Sequence, residues 1–302
     1  MSISLRQLKV FVTVSREGNV TRAAEKLRVS QSAVSMSLSE LERLLGEQLF
    51  DRRGKRLVLN DQGRALVSRA AAVLEQVDEI SCFFSDASGQ LTGALRVGAS
   101  STIGNYLMPR ILGAFRAKHP EARVSLDVGN TEQIVRELLH FNIDIGFIEG
   151  YCHQPALETI PWRQDLLAIH AGANHPLADR KSVSLKELRD AEWILREQGS
   201  GTREIFETAL AGKIDSLRVA LELGNTEAIK EAVETGLGIS CLSLLATRRA
   251  RQSGALVALK TPSLDLRRNF YMLLHGEKYR TRLLRHFMEF CKGYAENTEN
   301  TS

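Results

Sequence analysis

The chain has 302 residues, 43% hydrophobic and 25% charged, a composition that predicts a globular protein of two or three folding units. No apolar run approaches the roughly 18 residues of a membrane span, and the amphipathic N-terminus predicts no signal peptide. Four widely spaced cysteines fit neither a zinc site nor a disulfide framework, which predicts a cytoplasmic location. Residues 1–62 contain 11 Lys/Arg and 7 Asp/Glu, against 29 of each in the rest of the chain, so this segment is a candidate for nucleic-acid binding.

The first 59 residues predict three helices and a hairpin. Apolar groups at helical spacing predict a first helix that ends near Gly18, and Asn19 is placed to cap a second. After a short turn, Ser30 is placed to cap a third helix, which Gly46 ends. The sequence LFDRRGKRLVLN that follows predicts a hairpin with Gly54 in its turn. This order is typical of a helix-turn-helix with a wing.

A long helix is predicted from about residue 61 to residue 85. Its apolar residues are spaced by four and three: Leu66, Ala70, Val73, Val77, Ile80 and Phe84. This heptad spacing indicates pairing with a second helix along one seam, and the alternative is a single amphipathic helix on its own core. Glycines and serines over 85–93 predict a connector to the next domain.

From residue 95 the pattern changes to strands alternating with helices, which predicts a mixed α/β architecture. Strands are predicted at 95–99, 124–128, 143–148, 166–171, 193–197, 217–223, 238–242 and 270–274. Helices are predicted at 104–118, 131–141, 202–211, 226–236, 244–253 and 281–293. A loop-rich stretch at 149–165 contains two prolines and is expected to pass the chain between two subdomains.

Three motifs of the N-terminal segment identify a family resemblance. They are A-A-x-x-L in the second helix, S-Q-S-A-V-S at the start of the third, and L-F-x-R after it. With these motifs the chain resembles the LysR-type transcriptional regulators over almost its whole length. The resemblance implies a protein that binds double-stranded DNA and a small-molecule effector, assembles as a homodimer or homotetramer, and contacts RNA polymerase.

The resemblance also implies the domain organisation. A winged helix-turn-helix DNA-binding domain is expected at 1–59 and a coiled-coil linker helix for dimerisation at 60–89. The ligand-binding domain, an α/β fold like that of the periplasmic binding proteins, is expected at 90–302. Its subdomain I is expected at about 90–161 and 268–302, and its subdomain II at about 162–267.

Within the family, four segments are most similar to the branch around CysB and YeiE: GALRVGASSTIGNYLMP, DIGFIEG, ILREQGSGTRE and ELGNTEAIKEAV. This similarity implies regulation of sulfur or anion metabolism. We therefore expect a small oxyanion, sulfite or sulfate ahead of an organic carboxylate, as the effector.

The predicted DNA contacts lie at the start of the third helix, because the first residues of a recognition helix enter the major groove. Gln31 can form two hydrogen bonds with adenine, Ser32 and Ser35 can donate to bases or phosphates, and Met36 can contact a thymine methyl group. The alternative is that the serines only cap and solvate the helix. The resemblance adds Arg22 as a phosphate contact. Basic residues of the wing are expected to contact the DNA backbone or the minor groove: Arg52, Arg53, Lys55 and Arg56.

Two hydroxyl-rich loops are the candidate ligand site. Ser100, Ser101 and Thr102 follow one predicted strand, and Ser200 and Thr202 follow another. Ligands of such folds bind where strand ends meet helix N-termini, because backbone N–H groups there attract negative charge. The resemblance places both loops at the cleft between the subdomains. The alternative is that these residues are ordinary helix caps.

Glu149 follows the strand 143–148 and is expected to border the same cleft, where a carboxylate would repel a dianion. Three arrangements are open: the side chain points away, pairs with a basic neighbour such as Arg203, or accepts a hydrogen bond from a protonated ligand. A carboxylate solvated at the cleft rim is a further alternative.

The sequence predicts no catalytic residue, metal site or cofactor. HQPALE lacks the second histidine of a zinc-protease motif, and VGASS lacks the second glycine of a hydrolase nucleophile turn. A small-molecule-binding module without a gene-regulatory role would explain residues 90–302 alone. The basic winged helix favours a regulator instead.

Overall fold

The N-terminal part of the chain forms a winged-helix unit followed by one long helix. The computed structural model describes residues 2–54, 56–85, 91–214 and 216–299. The elements of this part are α1 (Leu5–Glu17), α2 (Val20–Leu27), α3 (Gln31–Leu45), β1 (Phe50–Arg53), β2 (Arg56–Leu59) and α4 (Asp61–Ser85). All six lie where the sequence predicts them, and we call residues 4–60 the winged-helix unit.

Local side-chain chemistry explains where these helices begin and end. The Asn19 side chain accepts from the backbone N–H groups of Thr21 and Arg22, and Ser30 Oγ accepts from Ala33 N at 3.2 Å. Each bond satisfies a donor that the first turn of a helix leaves free. Gly46 has φ +72°, the left-handed conformation that ends α3. The apolar faces of the helices enclose one core, which includes Phe11, Val34 and Leu41.

The C-terminal domain, residues 91–299, alternates strands and helices. Its elements are β3 (Gly93–Ser100), α5 (Ser101–Tyr106), α6 (Met108–Lys118), β4 (Ala122–Gly129), α7 (Thr131–Leu139), β5 (Ile145–Glu149), β6 (Leu157–Gly172), α8 (Leu185–Asp190), β7 (Glu192–Arg196), α9 (Gly201–Leu210), β8 (Arg218–Leu223), α10 (Thr226–Glu234), β9 (Ser240–Ser243), α11 (Leu244–Gln252), β10 (Leu256–Leu259), β11 (Arg267–His275) and α12 (Arg282–Glu299). The mixed α/β architecture is as predicted. The strand β10 and the helix α8 were not predicted.

The strand β6 joins two lobes. Its first part pairs with β11, which continues through β5 and β3 to β4 and forms the sheet of lobe I. Its second part pairs with β9 and β10 in lobe II, beside the parallel pair β7–β8. The expectation of a loop at 149–165 is therefore wrong for 157–165. The register with β11 shifts near Pro161, and such a bulge allows a proline within a strand.

The apolar residues that are spaced by four and three along the linker helix α4 lie in two different environments. Ala70 is 1% exposed in the core of the winged-helix unit, whereas Val73 and Ile80 are 39% and 58% exposed. A single amphipathic helix on its own core thus accounts for the first half of the stripe, and a seam with a second helix remains a prediction for the rest. The side chain of Phe84 and the connector residues 86–90 lie outside the described part of the chain. None of the described helices is long and apolar enough to cross a membrane.

A buried charge cluster holds α4 against lobe I. Lys278 Nζ forms ion pairs with Glu75 and, at 2.9 Å, with Asp144 Oδ1, which Arg96 also contacts at 2.5 Å. Burial alone would raise the pKa of Asp144, but Lys278 and Arg96 outweigh it and lower the pKa to about 2. Burial raises the pKa of Glu75 above its usual value.

Candidate functional site

The recognition helix α3 presents one polar face to solvent. Gln31, Ser32, Ser35 and Met36 are all exposed, and Met36 is 73% exposed. The opposite face of α3 is buried in the core of the winged-helix unit. A single exposed apolar side chain is common on protein surfaces, so the contact of Met36 with a thymine methyl group stays a prediction.

The serines at the start of α3 differ in their contacts. Ser30 caps the helix, and its Oγ lies 2.9 Å from Ser32 Oγ, so the Ser32 hydroxyl contacts the capping serine and its DNA contact stays a prediction. Ser35 is exposed on α3, and Arg22 is exposed at the start of α2.

The wing places basic residues on both strands of the hairpin. Arg52 and Arg56 are exposed, and Arg53 pairs with Arg56 in the β1–β2 register. Lys55 lies outside the described residues. Leu57 N donates to Gly18 O at 2.9 Å, which fixes the hairpin against the end of α1. The wing and the start of α3 thus form the candidate DNA interface.

The predicted ligand loops meet around Glu149 between the two lobes. Ser100 Oγ donates to Glu149 Oε2 at 3.0 Å, and Thr102 Oγ1 and Thr202 Oγ1 lie 3.2 and 3.4 Å from Oε1. These four side chains are at most 2% exposed. Gly201 makes the arrangement possible, because a Cβ there would lie 2.0 Å from the Glu149 carbonyl oxygen. We call these four residues the Glu149 cluster.

Arg268 compensates the buried charge of the Glu149 cluster. Its Nη2 lies 3.8 Å from Glu149 Oε2, its Nη1 donates to Thr202 Oγ1 at 2.8 Å, and its Nε donates to Asp165 Oδ2 at 2.7 Å. Arg203 instead binds Glu207 and Glu222. Two alternatives for Glu149 are therefore wrong: its basic partner is not Arg203, and its carboxylate is not solvated at the rim.

The remaining predicted ligand residues have other contacts. Ser101 Oγ donates to the Gly129 carbonyl at 3.0 Å and accepts from Arg196 at 3.4 Å. Ser200 is buried, and its hydroxyl has no hydrogen-bond partner among the described residues. Neither Ser100 nor Ser200 caps its helix through the side chain. The alternative that both are ordinary caps therefore fails on geometry.

Two cavities open on the cleft around the Glu149 cluster. One of about 420 Å³ is lined by residues that include Ser200, Thr131 and Glu204, and one of about 370 Å³ by residues that include Ser101. Neither is lined by Ser100, Thr102 or Thr202. A ligand that reaches those hydroxyls must therefore displace the carboxylate of Glu149 or separate the lobes. In the described part of the chain, no cluster of His, Cys, Asp and Glu side chains is arranged to hold a metal ion.

Arg268 was missed by sequence reasoning, although a signal was present. The predicted strand 270–274 is apolar throughout, and its extension by two residues towards the N-terminus would have included Arg268. In β11, Arg268, Phe270 and Met272 are all buried on the same face. An arginine at an inward strand position indicates a buried ionic partner.

Two family models match the chain. Residues 5–64 match the bacterial regulatory helix-turn-helix protein of the lysR family, and residues 88–296 match the LysR substrate binding domain. The HTH-type transcriptional regulator YeiE of Escherichia coli K12 is 46% identical over 291 residues, which cover 96% of this chain and 98% of YeiE.

Solved structures share the fold. A full-length OxyR variant from Pseudomonas aeruginosa matches with a TM-score of 0.76 at 24% identity, over 96% of this chain and 95% of OxyR. The regulatory domain of Synechocystis CcmR in complex with 2-PG matches with a TM-score of 0.64 at 30% identity. That match covers 68% of this chain and 99% of the CcmR domain.

Proposed function

Because the chain belongs to the LysR family of transcriptional regulators, we propose that a small oxyanion in the interlobe cleft controls its binding to DNA. The protein is a DNA-binding transcriptional regulator with a ligand-binding domain, and regulators of this family are not enzymes. The DNA contacts are proposed for α3, Arg22 and the wing. A binding module without a regulatory role would leave the helix-turn-helix unexplained.

The hydrogen bonds to the Glu149 carboxylate within the Glu149 cluster are the observation that supports an oxyanion. Three hydroxyl groups converge on the two oxygens of Glu149, and Arg268 lies beside them. A carboxylate is itself an oxyanion, so donors that satisfy it also suit the oxygens of sulfite or sulfate. We propose that the ligand takes the place of this carboxylate and binds Ser100, Thr102 and Thr202.

Two neighbouring serines extend the proposed site. Ser200 contributes a buried hydroxyl that has no partner among the described residues, and Ser101 lies beside Arg196 at the cleft wall. A buried unpaired hydroxyl is costly, and a ligand oxygen that accepts from Ser200 would remove that cost.

The charge of Glu149 favours a singly charged ligand. The displaced carboxylate stays attached to the end of β5, and each negative charge on the ligand adds repulsion. Bisulfite therefore suits this site better than fully ionised sulfate, since its O–H group can also donate to Glu149. Arg268 and Arg196 add positive charge beside the hydroxyl donors, although each also has an acidic partner, Asp165 and Glu197 respectively.

Calorimetry on the full-length protein tests the ligand. Sulfite, sulfate, phosphate, 2-PG and other carboxylates are titrated across the pH range in which bisulfite loses its proton. We expect sulfite to bind most tightly and to shift the footprint on DNA upstream of the neighbouring gene. Binding of a carboxylate with no response to any inorganic anion would refute an inorganic oxyanion as the ligand, and an unchanged footprint would refute control of DNA binding by the ligand.

Assembly is the remaining part of the proposal. Val73 and Ile80 form an exposed apolar edge on α4. We propose that this edge pairs with a second copy in a homodimer, or in a homotetramer built from dimers, so that two recognition helices reach two half-sites. RNA polymerase is proposed as a further partner at promoters.

A further inference from the structure

Phe141 joins the C-terminal domain to the winged-helix unit. It follows α7 in lobe I, yet its ring is 4% exposed within the apolar core of the winged-helix unit. The ring also packs on His275, with 4.2 Å between ring centroids. Arg16 Nη2, at the end of α1, donates to the Phe141 carbonyl at 3.2 Å. One residue of lobe I therefore has both its side chain and its carbonyl group bound to the other unit.

The backbone of Phe141 is held in an unfavourable conformation. Its φ is +56°, in the left-handed region that bulky side chains rarely adopt. Such a conformation persists only where the surroundings hold it, and it is found at switch regions. Here α7 itself supplies that support, because Phe141 N and Asn142 N donate to the carbonyls of Leu138 and Glu137 and so fix Phe141 at the end of the helix.

The other end of α7 lies at the interlobe cleft. Thr131 Oγ1 donates to the Glu149 carbonyl at 2.9 Å, next to the Glu149 cluster. The Asn130 side chain donates to Glu197 Oε1 of lobe II at 3.3 Å, and Glu132 N donates to the Gly199 carbonyl at 3.1 Å. The first turn of α7 is thus bound to lobe II, and its far end is bound to the winged-helix unit.

We infer that α7 couples the cleft to the winged-helix unit, with Phe141 as the plug that holds the two units together. α7 is a continuous hydrogen-bonded helix of nine residues, so its two ends are joined without a break. A displacement of lobe II changes the contacts at Asn130, and α7 carries that displacement to Phe141. The winged-helix unit is then released or held according to the position of lobe II.

The inference is tested without any ligand, so its outcome is independent of the oxyanion proposal. Hydrogen exchange is followed over residues 8–18 of the full-length protein for Phe141→Asn, Asn130→Asp and the double variant. Asparagine tolerates the left-handed conformation but removes the apolar plug. Aspartate still caps α7 but faces Glu197 with a like charge, which pushes lobe II away.

We expect Phe141→Asn to speed exchange in α1 by about tenfold, because the core of the winged-helix unit loses a buried ring. Asn130→Asp alone is expected to speed exchange in the same residues. In the double variant it should cause no further increase over Phe141→Asn. Arg136→Ala, at an exposed position on α7, is the matched control and should change nothing.

Two results would overturn the inference. Unchanged exchange in α1 for Phe141→Asn excludes the role of Phe141 as the plug. The coupling through α7 is excluded if Asn130→Asp has no effect on exchange in α1, or has the same effect with and without Phe141→Asn. If Phe141→Asn fails to fold, Arg16→Met replaces it, since this variant removes the donor to the Phe141 carbonyl, together with a positive charge near Glu75 and Asp144.

Discussion

The replacement Glu149→Gln tests whether the ligand takes the place of the carboxylate. Glutamine has nearly the same shape, and its carbonyl oxygen can still accept from Thr102 and Thr202. The hydroxyl of Ser100 can rotate to accept from the new amide. The change therefore removes the negative charge from the Glu149 cluster and leaves its packing in place, since the side chain is 1% exposed.

The size of the effect follows from Coulomb's law. Two unit charges 4 Å apart interact by about 4 kcal/mol at an effective dielectric constant of about 20. Arg268, 3.8 Å from the carboxylate, offsets part of the repulsion between Glu149 and a bound anion. We therefore expect a gain of about 2–4 kcal/mol for a dianion, roughly 30- to 1,000-fold in affinity. A singly charged anion should gain less.

Titration calorimetry of sulfate and sulfite against both full-length proteins measures this gain. Glu204→Gln is the matched control, because this exposed carboxylate lines the 420 Å³ cavity without joining the Glu149 cluster. The control should alter the affinity several-fold less than Glu149→Gln. Equal effects of the two variants, or unchanged sulfate affinity in Glu149→Gln, would refute the placement of the ligand at the carboxylate.

Four further outcomes are expected. Thr202→Ala should weaken oxyanion binding by about 1.5–3 kcal/mol in calorimetry, through loss of a charge-assisted hydrogen bond, and unchanged affinity would exclude this hydroxyl as a ligand donor. Gln31→Ala should relax specificity at one or two base pairs at a cost of about 1–3 kcal/mol, whereas Arg52→Ala should weaken all sequences and reduce the salt slope by about one. Identical salt slopes for these two variants would contradict that division. Val73→Asp should shift sedimentation towards monomer by placing like charges across the seam, and an intact dimer would argue against pairing through α4. Asp144→Asn should lower the urea midpoint of unfolding at pH 7, because a carboxyl whose pKa is depressed to about 2 stabilises the fold above about pH 4. This contribution is lost as the pH falls from 4 to 2, so the urea midpoint of the variant should depend less on pH in that range.

Local signals in the sequence predicted the winged-helix unit well. Asn19, Ser30 and Gly46 act within a few residues of the helix ends that they determine, so their effects can be deduced from the sequence alone. The strand β6 was only half predicted, because its first part lacks an apolar run and contains Pro161. Its pairing with β11 lies more than 100 residues away in the chain, and no local pattern reports it.

The candidate ligand site shows the same limit. Ser100, Thr102 and Thr202 were predicted from their positions after strands, and they do converge. The partner of Glu149 was not predicted, because Arg268 comes from a strand 119 residues further along the chain. Arg203 is closer to Glu149 in the sequence, but in the structure it binds Glu207 and Glu222 of its own lobe.

The ion pair between Arg268 and Glu149 explains why replacement of the Glu149 carboxylate by a ligand anion is more favourable than its departure without a replacement. Removal of one partner from a buried ion pair commonly costs about 3–5 kcal/mol, because the other charge is left buried and uncompensated. If Glu149 left the Glu149 cluster with nothing in its place, three hydroxyls would lose their acceptor and Arg268 would lose a nearby negative charge. Asp165 would still hold the guanidinium at 2.7 Å, so Arg268 keeps its position during the exchange. An incoming oxyanion restores the lost acceptors, and the ligand-bound state is reached without an unpaired buried charge.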